Sequence, residues 1–149
     1  MATNRQVLIN PNFLNVDLEI RSRRDLQPLL TFWGDQALLH AARVGRIYCA
    51  SLEVRRYFRK PTADGTIRGF CSLIRKLPPK ERELWDTAFV RDFNIGFDAG
   101  YSTTVITAAA LETTVEVGAR IVITVYGRRS ESSRGRGRVT KPKARSIGE

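Results

Sequence analysis

Between Phe13 and Ile20 the chain reads FLNVDLEI, and side chains alternate in character: Leu14, Val16, Leu18 and Ile20 on one side, Asn15, Asp17 and Glu19 on the other. A period of two marks a half-buried strand. In the next segment, SRRDLQPLLTFWGD, the period lengthens. Leu26, Leu29, Leu30 and Trp33 recur at helical spacing, Ser22 or Asp25 is placed to cap, Pro28 suits a first turn and Gly34 is placed as a stop. Two further strands, ALLHAAR (37–43) and RIYCASLEV (46–54), flank Val44 and Gly45, a pair suited to a tight hairpin turn.

The run RRYFRKPTAD (55–64) reads as a basic loop in which Arg55, Arg56, Arg59 and Lys60 interleave with Tyr57 and Phe58. A second helix starts near Asp64 with the apolar stripe Ile67, Phe70, Cys71, Ile74 and Leu77. Pro78 and Pro79 end it and open a third helix over KERELWDTAF. VRDFNIGFDAG then predicts a strand with Phe93, Ile95 and Phe97 on one side. Residues 102–118 mix strand-favouring Val, Ile and Thr with helix-favouring Ala and Leu. The spacing of Val105, Ala108, Ala109, Leu111 and Val115, with Ser102 as cap and Gly118 as stop, predicts a helix. The β-branched run ARIVITVY predicts a closing strand in the sheet interior. The order β-α-β-β-α-α-β-α-β implies an α+β fold: a single, largely antiparallel five-stranded sheet with helices on one face.

Length and charge refine this picture. A chain of 149 residues with 42% apolar content is expected to form one domain with one core. Its net charge of +10 is uneven, because residues 128–149 hold eight Arg or Lys against two Glu. That segment carries +6 and leaves +4 for the remainder. The expected organisation is an N-terminal extension (1–12), a globular domain (13–127) and a basic tail (128–149). Gly135, Gly137, Pro142 and the scarcity of apolar side chains predict a disordered tail. Cys49 and Cys71 show no CxxC spacing and read as thiols in a reducing, cytoplasmic setting. No run of apolar residues is long enough to span a bilayer.

The run from Leu73 to Gly100, with LPP at 77–79, LWD at 84–86 and IG at 95–96, and the closing GARIVITVY together resemble a group of small bacterial hypothetical proteins of unassigned function. The resemblance covers residues 13–126. It implies a compact bacterial α+β domain and brings no activity with it.

Candidate chemistry is sparse. With helices on the Val16, Leu18, Ile20, Phe93 and Ile95 side, the other sheet face is expected to carry Asp17, Glu19, Asn94, Asp98 and Thr124, joined by Glu53 and the single histidine, His40. Such a face offers carboxylate and imidazole atoms to a divalent cation, yet no pair has an HExxH or DxDxDG spacing, and a solvated polar face is the simpler expectation. The sequence also lacks GxSxG, GxGxxG and Walker runs, so neither a nucleophile elbow nor a phosphate-cradling loop is predicted, and no cofactor is implied. Trp85, Trp33, Phe70 and Phe89 read as core, with Asp86, Arg91 and Asp92 pairing around the helix end. In the tail, Arg134, Arg136, Arg138, Lys141, Lys143 and Arg145 are the candidate phosphate contacts, giving sequence-blind, salt-sensitive nucleic-acid binding. The function expected first is a non-enzymatic domain working through protein contacts, of accessory or immunity type. The alternatives are a nucleic-acid-associated protein and a metal-assisted enzyme using the acidic face.

Overall fold

A computed structural model describes residues 13–34, 38–53, 62–98 and 103–127. Nine elements follow one another: β1 (Phe13–Ser22), α1 (Gln27–Trp33), β2 (Leu38–Val44), β3 (Ile47–Glu53), α2 (Ala63–Arg75), α3 (Pro79–Thr87), β4 (Val90–Asp98), α4 (Ala108–Glu116) and β5 (Arg120–Tyr126). The strands form one sheet in the order β2-β3-β1-β4-β5.

β1 sits at the centre, antiparallel to both β3 and β4, and β2 pairs antiparallel with β3. The last pairing departs from the expected antiparallel character, since β5 runs parallel to β4. A parallel neighbour needs a crossover, and α4 supplies it. β5 is also an edge strand rather than the interior one that its apolar run suggests.

Local chemistry sets the boundaries. Thr62 caps α2, its hydroxyl accepting from the Gly65 amide at 3.1 Å. Pro78 and Pro79 let α3 start directly after α2 stops. The cap of α4 stands five residues after the predicted Ser102: the Thr107 hydroxyl accepts from the Ala110 amide at 3.2 Å, and Val105 lies before the helix. The helix closes with the Gly118 amide donating to the Val115 carbonyl at 2.9 Å and the Ala119 amide to the Thr114 carbonyl at 3.0 Å. Gly118 has φ +69°, the left-handed conformation that this ending requires.

All helices lie on the face that carries Val16, Leu18, Ile20, Phe93 and Ile95, each buried. The α2 stripe fills the centre, with Phe70 stacked on Phe93 at 5.7 Å between ring centroids. At one side α1 meets α3 through an edge-to-face pair, Trp33 and Trp85, at 6.4 Å. The Trp85 indole donates to the Val117 carbonyl at 2.7 Å, tying α3 to the end of α4. Phe89 is the exception among the aromatics read as core: it sits on the short link between α3 and β4 and is exposed.

Candidate functional site

Two surfaces stand out, the sheet face free of helices and the flank formed by α4 and β5. On the first, register brings the polar side chains into rows. Asp17 pairs with Asn94, Glu19 with Asp92 and with Ser51, and Asp92 with Arg120. Glu53 lies one residue beyond the Leu18–Leu52 pair, which puts it beside Asp17.

Hydrogen bonds knit the rows. Asn15 donates to Asp17 at 3.0 Å, Asn94 to Glu19 at 3.1 Å and Thr124 to Asn94 at 2.7 Å. Arg120 grips both carboxylate oxygens of Asp92, at 2.7 and 2.9 Å. This two-point geometry makes it the best-formed ion pair of the face. Asp17, Glu19 and Glu53 therefore converge as the sequence predicts. His40 does not join them: it is exposed on β2, in the Ser51–Glu19 row but two strands from Glu19. Asp98 lies four residues past Asn94 at the far end of β4, opposite Tyr126. Among the described residues no three His, Cys, Asp or Glu side chains are grouped to hold a metal ion.

Asp17 is held away from the ordinary carboxyl range. Burial raises its pKa above the ordinary 3.8, and the charges of Glu53 and Glu19 raise it further, against the amide of Asn15, which lowers it. A raised acid favours the fold most when protonated. Its contribution is complete below pH 3.8 and is lost as the pH climbs through the raised value, so at neutral pH the ionised group destabilises the fold. Asp17→Asn keeps the oxygen that accepts from Asn15 and removes the charge. It is expected to raise the urea midpoint at pH 7, with the gain shrinking to nothing towards about pH 3.

At the opposite end of the sheet the charge reverses. Arg21 and Arg23 at the end of β1, and Arg43 and Arg46 around the β2–β3 turn, are exposed and have no carboxylate partner among the described residues. Arg43 lies over the Tyr48 ring at 5.2 Å. Arg43, Tyr48, Leu26, Leu30 and Cys49 line an open cleft of about 220 Å³. The tail cations Arg134, Arg136, Arg138, Lys141, Lys143 and Arg145 lie outside the described residues, as does the basic loop at 55–60.

The second surface is apolar. On α4 the buried positions are Ala110 and Thr114, followed by Val117 just past its end, while Leu111 and Val115 are exposed, the latter by 77%. This reverses the stripe expected to face the core. Thr107 donates its amide and hydroxyl to the Asp64 carboxylate of α2, and Glu116 pairs with Arg75 of α2, so α2 lies against one flank of α4. At 100° per residue Leu111 and Val115 fall on the other flank, towards the outer edge of β5. On β5 itself Ile123 and Val125 point to the helix side, in register with Ile95 and Phe97, yet are 62% and 63% exposed. The helix layer stops short of them.

Sequence reading missed this flank because a strand apolar on both faces looks the same whether it is interior or an edge meant to be covered. The one available signal is that 108–116 carries two apolar flanks, of which a single core can bury one. The chain matches no protein-family model, and comparisons with curated proteins and with solved structures find no match. Among the described residues no helix is long and apolar enough to cross a membrane.

Proposed function

We propose that this chain is a binding domain that works through protein contacts, with the α4–β5 flank as its contact surface. The observation that carries this reading is the exposure of Leu111 and Val115 on α4 and of Ile123 and Val125 on β5, four aliphatic side chains on two elements that pack together. Scattered exposed aliphatics are ordinary, whereas a contiguous apolar group on a helix and its neighbouring edge strand marks a surface that another molecule covers.

The arginine end of the sheet supports a second reading. Arg21, Arg23, Arg43 and Arg46, without a carboxylate partner among the described residues, supply the charge that a polyanion contact uses, Arg43 lies over the Tyr48 ring, and the tail would add its cations.

One experiment separates the two. Tagged full-length protein and its Val115→Lys variant are used as baits in the native cell lysate, with and without nuclease. Under the first reading the wild type retains a protein that survives nuclease and is lost from Val115→Lys. A catch that disappears with nuclease and is indifferent to Val115→Lys supports the polyanion reading instead.

A further inference from the structure

We infer that the occupant of the α4–β5 flank is a second copy of this chain, in a twofold dimer whose β5 strands pair antiparallel and whose α4 helices close over the joint. The inference rests on the protein-contact reading and adds the identity of the partner.

The edge is the first argument. From Ile121 to Tyr126 β5 has no charged side chain, no proline and no bulge, the devices that keep edge strands from pairing. Along its seven residues the outward amides and carbonyls have no strand partner among the described residues.

Self-complementarity is the second. In the antiparallel register that overlaps all seven residues, Ile123 meets Ile123 of the second copy on the twofold axis. Ile121 then meets Val125 on the helix side, and Val122 meets Thr124 on the open side. Arg120 meets Tyr126, a cation beside a ring, and its charge is already matched by Asp92. No like charges oppose each other. The antiparallel sense also sends the two +6 tails away from opposite ends of the joint, where a parallel pairing would set them side by side.

Height is the third. Leu111 and Val115 stand at the level of the helices, one layer (about 10 Å) above the strands. A single added strand, such as one formed by Val7–Ile9 of the N-terminal segment, would complete the sheet and leave the helix flank bare. The tail, with Val139 and Ile147 as its only large aliphatics, offers less still. A second copy brings both a strand and an α4 flank, so each apolar group meets its own equivalent, as an isologous interface requires.

The test is the mass of the full-length protein in solution, followed by sedimentation across a dilution series. The wild type is expected to run as two chains. Ile123→Lys places two cations on the twofold axis and should weaken the dimer about 100-fold or more, with unchanged far-UV dichroism because position 123 is exposed. Val115→Lys, on the helix, should weaken it as well without touching the strand. Ile123→Cys should cross-link to itself under mild oxidation, where the wild type does not. A monomer throughout the series overturns the assignment, as does a dimer indifferent to both lysine variants. A monomer whose β5 amides exchange slowly would give the edge to a segment of its own chain and also overturns it. In each of these cases the protein-contact reading is judged separately, by whether the Val115→Lys bait loses a protein that the wild type holds.

Discussion

Trp85→Ala is expected to cost about 3–5 kcal/mol, a large part of the roughly 5–15 kcal/mol that holds a domain of this size together. Trp85 is fully buried, and three elements depend on it. Its ring meets Trp33 edge-on and so joins α3 to α1. Its indole N–H satisfies the Val117 carbonyl at the end of α4, and Arg91 of β4 lies over its face at 5.9 Å. Truncation opens a cavity and strands a buried carbonyl. Trp85→Phe should recover much of the packing and still lose about 1–3 kcal/mol, the consequence of leaving Val117 without its donor. Trp33 is the control: its indole nitrogen is buried with no partner among the described residues, so Trp33→Phe is expected to forfeit volume but no hydrogen bond. Urea unfolding followed by dichroism measures all three. A Trp85→Phe variant as stable as wild type would show that the bond to Val117 contributes nothing.

Phe93→Ala is the second large loss, again about 3–5 kcal/mol. Phe93 lies in β4, between β1 and β5, paired with Leu18 on one side and Ile121 on the other, and stacks on Phe70 of α2. It is the point at which the helix layer grips the strands. Phe93→Leu keeps most of the volume and should cost less than half as much. A double-mutant cycle with Phe70→Leu should give a coupling of about 0.5–1.5 kcal/mol for the ring contact. Additive effects of the two substitutions would place the whole cost in burial rather than in the stacked pair.

Much of this architecture was legible in the residues. The alternation from Leu14 to Ile20, the stripe from Ile67 to Leu77 and the double proline at 78–79 each have one reading, and β1, α2 and α3 form there. What was not legible depends on partners distant in sequence. The β-branched run shows that β5 is a strand but carries no record of its neighbour's direction, so the parallel pairing with β4 and the edge position emerge only in three dimensions. The helix at 108–116 was recognised, but with the wrong side inward: Ala110 and Thr114 are small enough to let α4 approach the layer below, while the larger Leu111 and Val115 look outward. The acidic face was read correctly for Asp17, Glu19 and Glu53, because side-chain direction follows directly from strand period. His40 and Asp98 failed to join them because distance across and along a sheet follows from strand order and register, which period leaves open.

The central place of β1 has a bearing on how the chain comes to be folded at all. The first of the described strands is the central one, and one of its partners, β4, begins at Val90, with Asn94 bonding across 75 positions to Glu19. Until that distant stretch has left the ribosome, β1 has only the β2–β3 hairpin as a strand neighbour, although Val16, Leu18 and Ile20 can already meet α2. Closing so long a loop before its contacts are rewarded is slow. The nascent protein thus passes through a stage with a half-built sheet, the interval in which a chaperone would find the most to hold.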